Sequence, residues 1–113
     1  MAQYTIDAKN KKLGRVASEI AGILQGKKTA HYEPRLAGSD TVVVVNAGAL
    51  DFSKKKLEQK VYYRHTGYMG HVKTRTLRQA VESSPAKVLR HAVERMLPKN
   101  ALRYKRMRRL AIT

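Results

Sequence analysis

Cysteine is absent from this sequence, which excludes disulfides and every thiolate-ligated zinc site and suits a reducing cytosol. Long apolar runs are absent too. Nothing approaches the roughly 20 residues of a membrane-spanning helix, and the opening "MAQYTIDAKN" has no secretory apolar core. A cytoplasmic location without a membrane partner is the expectation. The chain also lacks internal repeats, low-complexity tracts and linkers. Acidic residues are scarce, with 8 Asp and Glu against 24 Lys and Arg, for a formal charge of +16.

The apolar share, 42% of 113 residues, is high enough to exclude a compositionally disordered chain. That length supports one domain, residues 1–113, burying roughly 65% of its unfolded surface. It leaves little room for separate catalytic and substrate domains. The charge is unevenly spread. Residues 1–53 carry 7 basic and 5 acidic side chains, a net of +2; residues 54–113 carry 17 and 3, a net of +14. Self-repulsion at that density is destabilising unless a polyanion neutralises it, so nucleic acid is the first partner to consider. An anionic membrane surface comes second, because the cations are not confined to one face of an amphipathic helix.

The pattern along the chain predicts an α/β fold. "QYTIDA" alternates like a short strand. "LGRVASEIAGILQGKK" places Leu13, Val16, Ala17, Ile20, Ala21 and Leu24 on one helical face, with Gly26 suited to the helix end. "TVVVVNA", residues 41–47, is β-branched and apolar on both faces, as in a parallel sheet covered by helices. A short turn or helix follows around "GALDF", then the basic "SKKK" and a strand in "QKVYYRH". From Thr76 a weak helical period carries Leu77, Ala80 and Val81. A better-marked helix has Ser84 as N-cap, Pro85 in its first position, and Val88, Leu89, Ala92, Val93 and Met96 on its apolar side, before Pro98 stops it. The basic segment of about 99–113 reads as a C-terminal arm with a short helix and a final strand in "RLAIT". This order predicts a three-layer α/β/α sandwich with a small, mainly parallel four-stranded sheet.

Several motifs tempt an enzymatic reading and fail on spacing. "VVVVNAG" echoes the Asn-Ala-Gly of short-chain dehydrogenases. Yet Tyr68 to Lys73 is one residue too long for Tyr-x-x-x-Lys, and no G-x-G-x-x-G follows the first strand. "GILQGKKT" has three residues between its glycines where a phosphate loop has four, and it closes a helix rather than opening one. His65 and His71 lie among lysines and arginines, with Glu58 the nearest acid, a setting that repels a metal cation. No serine stands on a strained elbow. No cofactor is implied.

The stretch "KVYYRHTGYMGHVK" makes better sense as an RNA surface. Tyr62, Tyr63 and Tyr68 offer rings for stacking on unpaired bases, although a strand shows only alternate side chains and either of the first two is as readily core. His65 and Thr66 offer hydrogen-bonding groups, and Gly67 and Gly70 let backbone amides approach phosphates. Arg64, Lys73, Arg75 and Arg78 supply charge. Lys54, Lys55 and Lys56 alone read as a solvated turn, and Arg103, Arg106, Arg108 and Arg109 as a solubilising tail; their company with the loop argues for nucleic acid. The aromatic–glycine loop, with no helix-turn-helix or zinc finger, favours RNA of irregular shape. The candidate RNA-binding set is completed by Lys11, Lys12, Arg15, Lys27, Lys28, Lys60, Tyr63, His71, Lys99, Asn100 and Lys105.

Together "IDAKNKKLGRVASEIAGILQGK", "VVVVNA", "KVYYRHTGYMG" and "AVERMLPKN", in that order, resemble the large-subunit ribosomal protein thirteen family in its bacterial form, from about Ile6 to Leu110. The resemblance implies a structural, non-catalytic protein that binds large-subunit (23S-type) rRNA early in assembly, beside neighbouring ribosomal proteins. It implies "RHTGYMG" as the RNA-facing loop and basic ends that reach between RNA helices. No small-molecule substrate and no homo-oligomer is expected. The sequence departs from the family's pattern at Tyr4, where tryptophan is usual, at Met69 and His71 in the loop, and at Arg95 before "MLPKN". "FSKKK" lacks the usual Thr-Gly, and "GSD" carries its glycine one place early. The family's segments before the first strand and after the last are missing, which predicts a minimal version with fewer protein neighbours. Two other readings remain: a free regulatory RNA-binding protein, and a small nuclease using His65 or His71.

Overall fold

The computed structural model describes residues 3–113. In chain order the elements are β1 (Gln3–Asp7), α1 (Leu13–Leu24), β2 (Thr41–Val45), a 3₁₀ turn (Ala47–Ala49), α2 (Lys54–Gln59), β3 (Val61–His65), β4 (Val72–Thr76), α3 (Leu77–Ser83), α4 (Pro85–Met96), α5 (Leu102–Met107) and β5 (Leu110–Ile112). The class is α/β with a mainly parallel sheet, as the sequence predicts. The parallel sheet has three strands rather than four, in the order β1-β2-β5. The strand in "QKVYYRH" does not join it; β3 pairs antiparallel with β4 as a separate hairpin.

β2 is the central strand, and register explains which side of the sheet is buried. Tyr4 and Ile6 pair with Val42 and Val44, which pair with Leu110 and Ile112. Paired side chains share a face, and this face is covered, with Val42 and Val44 fully buried. On the opposite face Thr5 and Ala111 are exposed and Val43 is half-buried. The opposite face is the less buried of the two, with Thr41 and Val45 also half-buried.

α1 forms as its periodicity predicts. All six expected apolar residues are buried, with Ile23 added. Its end is fixed by Gly26 in a left-handed conformation, φ +86°, whose amide donates to the Ile23 carbonyl while the Lys27 amide donates to Gly22. This is the geometry in which a residue without Cβ is favoured. α4 begins at Ser84, whose Oγ accepts from the Lys87 amide, with Pro85 in the first turn. Val88, Leu89 and Val93 are buried, whereas Met96, expected on the apolar side, lies 43% exposed, its sulfur accepting from the Ser18 hydroxyl. α3 opens with a reciprocal capping box between Thr76 and Gln79.

The segment expected as a basic arm is tied down at both levels. β5 pairs with β2, and Met107 and Leu110 are buried in a hydrophobic cluster that runs from Ile6 to Leu110.

Candidate nucleic-acid interface

The β3–β4 hairpin is built from alternation. Its register sets Tyr62 opposite Arg75, Tyr63 opposite Thr74, Arg64 opposite Lys73 and His65 opposite Val72. Tyr62, Arg64, Lys73 and Arg75 therefore share one face, and Tyr63, His65, Val72 and Thr74 the other. From Tyr63 outward both strands are exposed on both faces, so the hairpin projects from the body. The even choice between Tyr62 and Tyr63 is resolved by this geometry. Tyr62 is half-buried and meets His91 of α4 edge to face at 5.6 Å, whereas Tyr63 is 74% exposed. Tyr68 at the tip is equally open.

The tip is held by its own hydrogen bonds. Thr66 donates through both its amide and its hydroxyl to the His71 carbonyl, and the His71 amide donates to the Tyr68 carbonyl. Gly67 and Gly70 take φ values of +89° and +78°, which the turn requires. The Gly67 amide, a candidate for approaching a phosphate, donates to His65 Nδ1 at 2.9 Å. In that bond Nδ1 is the acceptor.

No carboxylate occurs between residues 61 and 76. Arg64 and Lys73 are like charges on one rung, an arrangement that is unfavourable without a counter-anion. At the hairpin's root, Lys60 Nζ lies 5.4 Å above the Tyr62 ring. Lys54, Lys55 and Lys56, candidates for RNA binding, form the first turn of α2, the end of a helix where cations are disfavoured. Arg78 is paired with Glu58 at 3.5 Å.

A second group of exposed cations lies around α5: Lys99, Lys105 and Arg108, with Arg103 half-buried. Asn100 serves the fold, its Oδ1 accepting from the Leu102 amide. A third group, Lys11, Lys12 and Arg15, is exposed where α1 begins, and Lys12 is paired with Asp51 at 2.6 Å. Lys27 and Lys28 follow the end of α1.

Two candidates turn inward. Arg106 is 2% exposed, and its guanidinium donates to the carbonyls of Leu36, at 3.0 Å, and Pro34. Arg109 donates to the carbonyls of Asp40, Leu24 and Ala37. Burial, and then the charge of Arg106, hold its pKa below the ordinary guanidinium value, while Asp40 acts the other way. Both were expected as surface cations; both instead fasten the loop between α1 and β2. Among the described residues no group of three His, Asp or Glu is placed to hold a metal ion.

The family model described as ribosomal protein L13 matches residues 2–112. The chain belongs to the ribosomal protein L13 family. Relatives named large ribosomal subunit protein uL13 include that of Aquifex aeolicus, 47% identical over 109 residues, which are 96% of this chain and 76% of the relative. That of Clostridioides difficile is 48% identical with the same coverage, and that of Trichormus variabilis is 50% identical over 99 residues, 88% of this chain and 66% of the relative. L13 proteins are structural ribosomal proteins rather than enzymes, which disposes of the nuclease reading of His65 and His71.

Sequence reading of this L13 chain missed some surface groups. Tyr104 is 70% exposed with the Arg108 guanidinium 5.6 Å from its ring centre. Lys87 and His91 lie on the exposed side of α4. Their four-residue spacing, opposite the apolar stripe, was the available signal.

Proposed function

We propose that this L13-family chain is a structural constituent of the large ribosomal subunit in the cytoplasm, binding 23S-type rRNA and supporting early subunit assembly. Two basic surfaces do the binding, the β3–β4 hairpin with its lysine-rich root and the C-terminal group around α5. The observation that carries this reading is the Arg64–Lys73 rung, flanked on the same face by Arg75 on a projecting hairpin whose own residues include no carboxylate. Lys and Arg neutralise phosphates where RNA helices converge, and released counterions dominate the affinity. Exposed Tyr63 and Tyr68 then favour RNA with unstacked bases over a regular duplex. The names of the relatives support the setting, since each is called a large-subunit protein.

Binding to a 23S-type transcript, measured against salt, tests the proposal. Engaging about eight phosphates gives a log–log slope near −6 or −7. Changing Arg64, Lys73 and Arg75 together to alanine reduces the magnitude of that slope by roughly 2–3 while circular dichroism stays native. An unchanged slope removes the hairpin from the binding surface. In cell extracts the protein sediments in the large-subunit peak at moderate salt; a free pool alone would favour a regulatory protein.

A further inference from the structure

At the root of the hairpin, β3, β4, α3 and α4 enclose a surface cavity of about 250 Å³. Tyr62 and His91 supply its rings, Ala80 and Val88 its apolar wall, and Arg75 and Lys87 its cations. No carboxylate lines it. The volume falls below the roughly 300–1,000 Å³ of pockets for drug-sized ligands, and suits one flat group with an anionic neighbour.

The register connects this cavity to the hairpin's cationic face. Arg75 lines the cavity and also shares the face that carries Arg64 and Lys73. An RNA backbone laid along that face toward the body meets the cavity at Arg75. There the chemistry changes from cations alone to rings with cations at the rim. Rings accept a base of any sequence by stacking, and Arg or Lys beside them holds the adjoining phosphate.

We propose that this cavity captures one unstacked nucleotide of the bound RNA, its base against Tyr62 and His91 and its phosphate between Arg75 and Lys87. The inference rests on the rRNA-binding reading of the hairpin and adds to it a defined seat for a single nucleotide. The opposite hairpin face, with Tyr63 and Val72, takes no part in it.

The test uses the full chain and a 23S-type transcript, with affinity, salt slope and nucleotide-resolved 2′-hydroxyl acylation as readouts. Three variants are compared: K87A/H91A, in which both residues are exposed; S83F, which plugs the cavity from its exposed rim; and R64A/K73A on the hairpin. The first two should weaken binding about tenfold or more. K87A/H91A should lower the slope magnitude by only about one. Both should alter the reactivity of one nucleotide and leave the rest of the footprint in place. Native circular dichroism and melting temperature guard against a folding effect. Wild-type affinity and footprint in K87A/H91A and S83F, alongside weakened R64A/K73A, would overturn the nucleotide seat and leave the rRNA reading standing. Wild-type binding in all three overturns both.

Discussion

At the end of β2, Asn46 adopts a left-handed conformation, φ +58°, and its side-chain amide donates to Asp7 Oδ1 at 2.9 Å. The Lys9 amide donates to the same oxygen. The Asn-Ala-Gly that echoes a dehydrogenase is thus a clamp between two parallel strands. These bonds, the Asn46 one foremost, hold the Asp7 carboxyl below its ordinary value of 3.8. A depressed folded-state pKa contributes stability that is fully present above that value and lost as pH falls through the folded one. Asp7→Asn should therefore lower the urea midpoint at neutral pH, and its difference from wild type should shrink as pH drops below 3.8. A constant offset across that window would show that the charge of Asp7 contributes nothing. Arg109 makes a different argument. Replacing it with methionine leaves the carbonyls of Asp40, Leu24 and Ala37 without their donor, a loss of about 1–3 kcal/mol in denaturant unfolding. Lysine should not rescue it, because a single ammonium lacks the guanidinium's fork. Gly38 stands against this clasp, with φ +81° and the space of its absent Cβ 3.6 Å from both terminal nitrogens of Arg109. Nothing in "RYKRMRRL" distinguishes the inward arginines from their outward neighbours, since α5 is only six residues long and nearly every position is basic or large.

Elements whose signals are local were readable in advance. The Ser84–Pro85 start of α4 and the apolar stripe of α1 depend on residues within a turn or two of each other. β4 was not readable. "VKTRT" has polar side chains on both faces because both faces are solvated, so the alternation that marks a half-buried strand never arises. The tip glycines and the β3–β4 register, rather than burial, set this pairing. The same contrast predicts mutational costs. Ile20→Ala, fully buried on α1, which packs against α4 and β2, should destabilise by roughly 2–5 kcal/mol in urea unfolding. Met96→Ala, at 43% exposure on the far end of α4, should cost under about 1 kcal/mol. Equal costs would mean that the periodicity, not the observed burial, describes α4.

Over the whole molecule, positive charge far exceeds negative, with 24 basic side chains against 8 acidic. Among the described residues three ion pairs form, Lys12–Asp51, Arg35–Glu33 and Arg78–Glu58, while the chain carries 24 basic side chains. The charge count was legible in the sequence. Its division into a hairpin face, a lysine-rich helix start and a C-terminal group was not, because each depends on which residues turn inward. Repulsion within a net +16 opposes compaction of the free chain, and salt screens it. Sodium chloride should therefore raise the melting temperature of the free protein while it weakens the rRNA complex by counterion release. Relief of about 1 kcal/mol corresponds to a rise of roughly 4–8 °C. Differential scanning calorimetry from about 20 to 200 mM salt measures the first trend, across which the Debye length falls from above 20 Å to about 7 Å. A melting temperature that falls over this range would mean that attractive pairs outweigh repulsion in the free protein. The cations would then already be satisfied within the fold, and the need for a polyanionic partner would disappear.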